Sequence, residues 1–526
     1  EVWFEVNKIG TVCHFNPSTE VFKVEQVPVE KEPGDAPKFA VCEDKQGNLW
    51  VHPVGGGLSW FDRESNELKP FYNEVGTDAW RFSNKLHAMM LDHQGNLWLG
   101  THSKGLDKVT FFKNEFQLIK PQNCKYDTNA NQVRSLCQDS RKQLWIGTRN
   151  SKVSVYSLDF QLQGYLTVDG RISLTGTPFR GSAYKIIEDS KKNIWIATKG
   201  NGIVQLIPQG SGYKMLHYTY DANDIYSLSH NNVYDLCEDS YGRIWVVTFG
   251  GGIDYIEKES DGSVRFINSR NNLKSYPMER CYKARRMLLD KKGMLWVATS
   301  NGLLAFSEKF ERPDTIDFHL FVCMPNKREV LSCNDIYDIL LTHDGRLFFA
   351  TFGGGLNELK SLDKKGNALF TSYSAKDGLP TDVLSSLAED TKGDIWIGSE
   401  SGLSKMDIVN HHFDNYLKQE IGEELSFEES TAIRAEDGRL LFGTNRGLLC
   451  FTPELIRKNS YVPGIVLSGL KIANKDVVPR PESVLPESLN SLSHLYLSHK
   501  ENTVTLSFAA LDMSFPENVK YAYMLD

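Results

Sequence analysis

The sequence lacks several features that define familiar classes of protein. No apolar run approaches the ~18 residues that a membrane-spanning helix needs, and the N-terminus carries no basic-then-apolar signal peptide. Lys and Arg total 59 against 67 Asp and Glu, a net charge of −8 without a long basic tract, which argues against a nucleic-acid partner held mainly by charge. The nine cysteines contain no Cys-x-x-Cys pair, which argues against a zinc or thioredoxin-like site.

Long stretches with helical spacing of apolar residues are also scarce. In their place, short runs of Val, Ile, Leu, Tyr and Phe are separated by Gly, Asn, Asp and Ser, and glycine reaches 41 residues. Hydrophobic residues make up 40% and charged residues 24%, as in an ordinary globular protein, so disorder is excluded as the main state. This pattern predicts an all-β protein.

A repeat of about 50 residues organises the chain. The segment from Cys42 to Trp50 returns from Met90 to Trp98 and again from Cys237 to Trp245, and an aromatic or apolar anchor closes each copy. Successive anchors are 45 to 52 residues apart. They are Trp3, Trp50, Trp98, Trp145, Trp195, Trp245, Trp296, Phe348, Trp396 and Leu441.

Each copy reads as four short antiparallel strands with Gly-containing turns, which is one blade of a β-propeller. Ten blades exceed the usual four to about eight of one ring, so we predict two propellers in series. Residues 1–112 are then the C-terminal blades of a first, incomplete propeller, and residues 113–460 form a second, seven-bladed one.

The period stops after Pro453, and residues 461–526 are predicted to begin a β-sandwich (Ig-like) module. Its strand-like runs are Ile465–Ile472, Leu495–Leu497, Thr503–Phe508 and Tyr521–Leu525. The chain begins inside a blade and ends without a turn or partner strand, so we expect it to be a piece of a longer protein.

The repeating unit Glu-Asp-x-x-Gly-x-Ile/Leu-Trp-Ile/Val-Gly/Ala-Thr-x-x-Gly-Gly-Leu/Ile resembles the regulator-propeller repeat. The stretch from Leu497 to Asp512, with Pro516 and the pair Tyr521 and Tyr523, resembles the start of a triple-tyrosine (YYY) domain. In this order the two modules resemble the periplasmic sensor half of hybrid two-component regulators, which occur in gram-negative bacteria that degrade complex polysaccharides.

The resemblance implies the ectodomain of an inner-membrane protein that dimerises through its YYY module. In this family a membrane helix, a histidine kinase, a receiver and a DNA-binding domain follow. The resemblance therefore implies that this region itself contacts no nucleic acid, that it reaches the membrane only through later parts, and that it is not the enzymatic part of a histidine kinase.

An aspartate precedes the anchor by six residues in most repeats, and we predict a structural role for it. A short Asp side chain can accept hydrogen bonds from the backbone N–H groups of the turn that follows. Catalysis does not require the same residue in repeat after repeat, and Thr342 and Ala435 replace it in two of them. The aspartate column consists of Asp44, Asp92, Asp139, Asp189, Asp239, Asp290 and Asp390.

The cysteines are odd in number. Cys42, Cys137 and Cys237 share one apolar strand position, where we expect buried, reduced thiols of low reactivity. Cys323 and Cys333 could form a pair, although nothing in the sequence requires it.

The position eleven residues before the anchor differs in kind, because it varies among Arg, Tyr and other polar types while its neighbours stay apolar. It holds Phe39, His87, Arg134, Tyr184, Tyr234, Arg285, Tyr337, Ser385 and Ser430, and the next position includes Lys185, Asp235, Arg286 and Asp338. If this strand is innermost, its start lies at one mouth of the central channel. Aromatic faces and guanidinium donors there suit sugar rings and their carboxylate or sulfate groups.

We therefore predict a ligand site made of Arg134, Tyr184, Lys185, Tyr234, Arg285, Arg286 and Tyr337. A solvated rim with ion pairs between blades is an equally good interpretation, and a groove near residues 100–125 is another possible site. No catalytic residue, metal site or cofactor is predicted.

The predicted function is periplasmic sensing of a polysaccharide-derived oligosaccharide, transmitted through the dimeric YYY module to a C-terminal kinase. A propeller glycoside hydrolase or polysaccharide lyase is the alternative, although the Asp stands three residues before the turn Gly, as in Asp92 and Gly95, and not two as in the Asp-box of sialidases. A pure protein-interaction propeller is a third hypothesis.

Overall fold

The computed structural model describes residues 2–5, 10–26, 39–45, 47–54, 58–63, 65–71, 86–101, 105–111, 115–121, 128–149, 152–260, 263–324, 326–363, 365–456, 462–514, 516, 519 and 521–524. The chain divides into two compact units. Unit 1 joins Glu1–Lys113 with Lys458–Asp526, and unit 2 is Asn114–Arg457. Both units are built almost entirely from antiparallel strands, as the sequence predicts.

Unit 1 contains three N-terminal sheets and one C-terminal sheet among its described residues. The N-terminal sheets are β1 (Val2–Glu5), β2 (Thr11–Asn16) and β3 (Val21–Gln26); β4 (Ala40–Glu43), β5 (Leu49–His52), β6 (Ser59–Asp62) and β7 (Glu67–Pro70); and β8 (Leu86–Leu91), β9 (Leu97–Thr101) and β10 (Leu106–Val109).

Unit 2 begins with β11 (Gln117–Ile119) and continues with six sheets that follow one another along the chain, which we label A to F. Sheet A consists of β12 (Val133–Gln138), β13 (Leu144–Thr148), β14 (Val153–Tyr156), β15 (Leu162–Leu166) and β16 (Ile172–Ser173). Sheet B consists of β17 (Ala183–Glu188), β18 (Ile194–Thr198), β19 (Ile203–Gln209) and β20 (Gly212–Tyr218). Sheet C consists of β21 (Val233–Glu238), β22 (Ile244–Thr248), β23 (Gly252–Lys258) and β24 (Val264–Ile267).

Sheet D consists of β25 (Ala284–Leu289), β26 (Met294–Thr299), β27 (Gly302–Ser307) and β28 (His319–Phe321). Sheet E consists of β29 (Ile336–Leu341), β30 (Leu347–Thr351), β31 (Leu356–Leu362) and β32 (Ala368–Tyr373). Sheet F consists of β33 (Leu384–Glu389), β34 (Ile395–Ser399), β35 (Leu403–Met406) and β36 (Phe413–Tyr416).

The seventh sheet of unit 2, sheet G, takes strands from both ends of the unit. It consists of β37 (Phe427–Arg434), β38 (Leu440–Thr444) and β39 (Leu448–Phe451), with β11 as its outermost strand. Leu118 of β11 pairs with Leu449 of β39, so the first strand of unit 2 completes its last sheet.

Helix is minimal in the described residues. The α-helices are α1 (Met278–Cys281) and α2 (Lys418–Ile421), and the 3₁₀ turns are Thr128–Asn131, Pro313–Thr315, Ala375–Asp377 and Pro453–Leu455.

The hydrophobic core of unit 2 lies between sheets, because strands apolar on both faces must pack against a neighbour on each side. Trp145 packs with residues of sheets A and B, and Trp245 with residues of sheets C and D. Val133 of sheet A packs with Leu441 of sheet G, so the sequence of interfaces returns to its start. The remaining anchors occupy the equivalent interfaces: Trp195, Trp296, Phe348 and Trp396.

The aspartate column is structural, as predicted. In each turn the Asp Oδ1 accepts a backbone N–H four residues later, as Asp139 does from Gln143 at 2.8 Å. Its Oδ2 accepts the indole Nε1–H of the anchor Trp, at 2.8 to 3.0 Å in all seven Asp–Trp pairs. The sequence argument had not foreseen this second bond.

The predicted thiol positions are partly exposed, which corrects the expectation of full burial. Cys42, Cys137 and Cys237 lie at the edges of the inter-sheet clusters and not inside them. Burial nevertheless raises the thiol pKa to about 12 for both Cys137 and Cys237. Cys323 and Cys333 are free.

The C-terminal sheet of unit 1 contains β40 (Ile465–Ile472), β41 (Lys475–Asp476) and β42 (Val504–Ala510), so two of the predicted strand-like runs are confirmed. Within the described residues, Leu495–Leu497 and Tyr521 to Met524 are not strands. Tyr496 and Tyr523 in these runs are exposed, so their side chains are not packed against a sheet. Apolar alternation predicts a strand only where a partner strand pairs with it. Asp512, just after β42, accepts a hydrogen bond from the side chain of Gln94 at 3.0 Å. Gln94 lies in the turn between β8 and β9, so the C-terminal sheet contacts the third N-terminal sheet of unit 1.

Candidate functional site

The predicted site residues lie on the innermost strands of unit 2. The first strands of sheets A to G contact one another in sequence, and β37 also contacts β12. A strand that touches its counterparts in both neighbouring sheets must face the common axis. The first strand of each sheet is therefore innermost, which is the condition on which the predicted site depends.

A β-bulge explains why this column differs from its neighbours. In β21, Val233 pairs with Thr248 and Asp235 with Val247, so Tyr234 is the extra residue of a one-residue bulge. A bulge re-aims the side chain of its unpaired residue away from the faces of the sheet. The same register shift falls at Arg134, Tyr184, Arg285, Tyr337 and Ser385.

On one side of the channel mouth, aromatic rings form a ladder that crosses from sheet B to sheet C. The rings of Tyr184 and Tyr234 are 4.7 Å apart, and Tyr234 stacks on Phe249 at 4.8 Å. The guanidinium of Arg134 lies 4.3 Å from the Tyr184 ring, at one end. We call Tyr184, Tyr234 and Phe249 the aromatic ladder.

On the other side, Arg285 lies between two aromatic rings. Its guanidinium is 5.1 Å from Phe249 and 4.5 Å from Tyr337. Tyr337 stacks in turn on Phe352 at 5.2 Å, and Phe352 is 48% exposed. The predicted residues Arg134, Tyr184, Tyr234, Arg285 and Tyr337 therefore converge in one ring of contacts.

Two glutamates from sheet G, absent from the sequence prediction, occupy the centre of the ring. Arg134 donates to Glu428, and its second Nη lies 3.7 Å from Glu429. Arg285 donates to Glu429 at 2.8 Å and to Asp335 at 3.1 Å. Glu429 thus joins arginines of sheets A and D.

These contacts hold both arginines in their charged state. Burial opposes the charge of Arg134, but the Glu428 carboxylate raises the pKa of its guanidinium above the usual range. Burial likewise opposes the charge of Arg285, whose pKa is raised by Glu429 and Asp335. The two guanidinium groups are therefore already neutralised by carboxylates of the protein.

Sequence reasoning missed the glutamates because sheet G departs from the regular bulge. Phe427 pairs with Thr444 and Ala432 with Phe442, so residues 428–431 lie opposite the single residue Gly443. Ser430 in this long bulge has a φ of +51° and donates to the carbonyl of Tyr337. The sequence column includes only Ser430 from this insertion, so Glu428 and Glu429 are not among the predicted residues.

The second column forms a buried charge network below the mouth. Lys185 and Arg286 lie 3.7 and 3.2 Å from Asp235, and Arg286 lies 3.2 Å from Asp338. Asp235 also accepts the N–H of Met287 at 2.8 Å, so the network links sheets B to E. Burial and the neighbouring Arg286 lower the pKa of Lys185. The structure thus commits Lys185 and Arg286 to ion pairs between sheets.

A cavity of about 250 Å³ lies between sheets B and C at the opposite end from the mouth. Part of its charged lining is engaged within the protein, since Glu238 accepts the backbone N–H of Ser190 at 2.7 Å and Arg243 donates to Asp239 at 2.6 Å. Among the described residues, no group of His, Cys, Asp and Glu side chains is arranged to hold a metal ion. The described helices are all too short to span a membrane.

Comparison with known proteins supports the repeat assignment. Four segments match the two component regulator propeller family: residues 82–103, 128–150, 227–250 and 378–401. They contain the anchors Trp98, Trp145, Trp245 and Trp396. The chain carries two-component regulator propeller repeats. These matches confirm that part of the resemblance; the YYY module stays a prediction.

Longer proteins are similar to this chain. Histidine kinase P4 of Formosa agariphila is 19% identical over 481 residues, which cover 91% of this chain and 29% of that protein. The extracellular domain of a B. thetaiotaomicron protein assigned to a hybrid two-component system is 20% identical, with a TM-score of 0.64 over 96% of this chain and 62% of that chain.

A further extracellular domain from B. thetaiotaomicron, assigned to a one-component system, is 18% identical with a TM-score of 0.51. It is matched over 95% of this chain and 63% of that chain. The chain thus spans less than two thirds of each of these three proteins. At such identities the likeness establishes a fold of propeller-like blades built from β-sheets.

Proposed function

We propose that this chain is the ligand-sensing region of a hybrid two-component regulator. It lies in the periplasm as the ectodomain of an inner-membrane protein whose histidine kinase controls transcription. The regulator propeller repeats support this proposal. So does the likeness, over nearly the whole chain, to an extracellular domain assigned to such a system.

In the proposed architecture, sheets A to G close as a seven-bladed β-propeller over residues 113–460. The seven inter-sheet clusters, the last of which joins sheet G to sheet A, support this closure. Residues 1–112 are the C-terminal blades of a preceding propeller, and residues 461–526 begin a YYY sandwich. Tyr521 contacts Phe508 with a ring distance of 5.3 Å, which places the first tyrosine of the proposed module against β42.

The proposed ligand is a polysaccharide-derived oligosaccharide bound at the channel mouth. One observation carries this proposal: aromatic faces of Tyr184, Tyr234, Phe249, Tyr337 and Phe352 are gathered at one accessible mouth together with hydrogen-bonding groups. A contiguous group of accessible aromatic side chains on a protein surface commonly marks a binding site. The apolar face of a sugar ring is a partner that such a surface fits, and its hydroxyl groups match the surrounding donors and acceptors.

Signalling by this region follows from a population shift. Ligand binding changes the arrangement of two YYY modules in a dimer only if the ligand binds one arrangement more tightly than the other. The kinase then responds to the population of that arrangement. In this proposal the ligand binds at the channel mouth, and the two states are the two arrangements of the YYY modules in the dimer.

Calorimetry of the intact chain against a panel of defined glycan fragments tests the proposal. At least one fragment should bind, and Phe352→Ala should weaken it ~10-fold, because stacking on one aromatic ring is worth about 1–2 kcal/mol. Tyr241→Ala is the matched control, since Tyr241 is also exposed but lies in the turn at the other end of sheet C. Failure of every glycan to bind would contradict the proposed function.

A glycoside hydrolase or lyase remains the competing hypothesis, because the mouth contains the carboxylates of Glu428, Glu429 and Asp335. Burial raises the pKa of Asp335, as a general acid would require. All three carboxylates, however, are engaged by Arg134 or Arg285, which favours a positioning role. Chromatography of the calorimetry samples decides: cleavage products would establish the enzyme, and unchanged ligand supports the sensor.

A further inference from the structure

The arginines at the channel mouth direct most of their N–H donors to carboxylates of the protein, and among the described residues only the buried Nε of Arg134 is left without a partner. Arg285 directs Nε and Nη2 to Asp335 and Nη1 to Glu429, and Arg134 directs its Nη atoms to Glu428 and Glu429. The side chains of both arginines are at most 12% exposed. Displacing Glu429 to admit a ligand anion would leave a desolvated carboxylate without its partners, which is costly.

Within the ring of contacts, carboxylates outnumber the guanidinium groups that pair with them. Two guanidinium groups face three carboxylates, those of Glu428, Glu429 and Asp335. Such a centre favours hydroxyl groups, whose protons can be donated to carboxylate oxygens. It repels a carboxylate or a sulfate of the ligand.

Two lysines flank the aromatic ladder on the rim of the same mouth. Lys199 lies with its Nζ 5.6 Å from the Tyr184 ring, and Lys283 lies with its Nζ 5.4 Å from the Phe249 ring. Within the described residues, neither ammonium group has a carboxylate at ion-pair distance, whereas Arg134, Arg285, Lys185 and Arg286 all do.

The backbone fixes the positions of both lysines. Lys283 forms an isolated bridge with Phe249, and Lys199 forms one with Asn232, two residues before Tyr234. Lys199 also donates its N–H to the carbonyl of Ser182 at 3.0 Å. Each ammonium is thus held near one end of the ladder by main-chain pairing and by its attraction to an aromatic face.

We infer that the ligand carries anionic substituents, and that Lys199 and Lys283 bind them at the two ends of the aromatic ladder while a sugar ring lies on the ladder between them. This inference rests on the proposed function and names the chemical class of its ligand. The acidic centre of the mouth accepts hydroxyl protons of the same ligand, so the ligand is oriented with its anionic groups toward sheets B to D. Arg134 and Arg285 are positioning residues that hold Glu428 and Glu429.

The probes are a neutral oligosaccharide (cellohexaose), a uronic-acid oligosaccharide (oligogalacturonate) and a sulfated galactan hexasaccharide. Calorimetry of the full chain should give tighter binding of an anionic probe than of the neutral one, and this preference should shrink when salt is raised from about 50 to about 300 mM. The uronic-acid and sulfated probes distinguish a carboxylate from a sulfate as the bound group.

The double variant K199Q/K283Q should weaken binding of the anionic probe ~10-fold or more, because charged hydrogen bonds are lost, and should leave the neutral probe within about two-fold. The control K214Q/K309Q removes the same charge from exposed lysines away from the mouth and should change neither value. Since all four lysines are on the surface, the variants are expected to fold.

Equal losses in the two double variants would overturn the inference, because the effect would then be one of net charge. Binding of the neutral probe as tightly as the anionic ones would also overturn it while leaving the proposed function in place. Absence of binding by all three probes and by the wider glycan panel would overturn both.

Discussion

At the scale of single residues, the aspartate column and the anchor column depend on each other. Every repeat that has a Trp anchor from Trp50 onward has an Asp six residues before it, and the two repeats anchored by Phe348 and Leu441 have Thr342 and Ala435 instead. The indole Nε1–H explains this pairing, because a buried N–H donor needs an acceptor and Phe or Leu brings no such donor. The aspartate therefore has two functions, to close the turn and to satisfy the tryptophan.

The pair Asp139 and Trp145 provides a test of this dependence. Asp139→Ala should lower the free energy of unfolding by about 2 kcal/mol, since the indole N–H of the fully buried Trp145 loses its acceptor. In the background Trp145→Phe the same substitution should cost ~1 kcal/mol less, because no indole remains. Urea unfolding followed by circular dichroism gives the free energy of unfolding of the native protein, the two single variants and the double variant. Equal costs in both backgrounds would mean that the turn, and not the tryptophan, requires the aspartate.

The thiols of the anchor-facing strand should be unreactive although they are not fully buried. Burial raises the pKa of Cys137 and Cys237 to about 12, so the thiolate is rare at pH 8. Because the thiolate is the reactive form, iodoacetamide should leave both residues unmodified in the native protein and modify them in urea. Mass spectrometry of peptides gives the extent at each cysteine. Native labelling as fast as in urea would contradict the expectation.

At the scale of strands, the repeat makes most of the fold predictable from the sequence, but not the long bulge of β37. Alternation, turn residues and a fixed period predict the four-stranded sheets, because the same local interactions recur in every copy. Tyr234 and Arg285 could be proposed as candidate site residues because they vary against a regular background. Glu428 and Glu429 could not, since they belong to the long bulge of β37, and Arg134 meets Glu428 only because sheets A and G become neighbours when the ring closes.

Within sheet C, a buried carboxylate connects β23 to the loop that leads into β21. Asp254 is fully buried and accepts bonds from the N–H and hydroxyl of Ser229 and from Asn268. Burial raises its pKa to about 7, against an ordinary value of 3.8. The folded protein therefore retains a proton on Asp254 that the unfolded chain has already released at pH 5 to 6.

The raised pKa of Asp254 makes the folded protein less stable as the pH increases. A raised pKa in the folded state contributes stability that is fully present below the pKa of the unfolded chain, near 4, and is lost as the pH rises through about 7. The difference of about 3 between the two pKa values corresponds to at most about 4 kcal/mol. Asp254→Asn keeps a neutral hydrogen-bonding group and should remove this loss.

Urea unfolding of the native protein and of Asp254→Asn at pH 5 and pH 8 measures this effect. The variant should gain more stability relative to the native protein at pH 8 than at pH 5, because only about a third of the loss has occurred by pH 5. Other carboxylates titrate in both proteins, so only the difference between them is informative. The same difference at both pH values would show that Asp254 is ionised throughout.

At the scale of the whole molecule, unit 2 depends on one strand that arrives from the opposite end of its sequence. Each interface between neighbouring sheets is filled by an anchor, and β11 completes sheet G by pairing with β39. This pairing covers the edge of β39, and β11 becomes the outermost strand of sheet G. The pairing also connects the stability of the first residues of unit 2 to that of the last.

Phe116, which immediately precedes β11, is the residue where this closure can be tested. It is buried, and its ring lies 5.0 Å from Phe451 of sheet G and 5.7 Å from Tyr416 of sheet F. Phe116→Ala should cost ~3–5 kcal/mol through the lost burial and the cavity. Because the side chain holds the strand that completes sheet G, sheet G should lose protection first. Hydrogen exchange measured by mass spectrometry should accelerate in β11 and β37 to β39 before the other sheets.

Phe266→Ala in the outer strand of sheet C is the matched control, since Phe266 is also buried but its strand follows directly from the rest of its own sheet. It should accelerate exchange in sheets B and C and leave sheet G protected. If the two variants opened the same peptides, closure by β11 would contribute nothing beyond the packing of one aromatic ring, and the ring would have to be held by its inter-sheet interfaces alone.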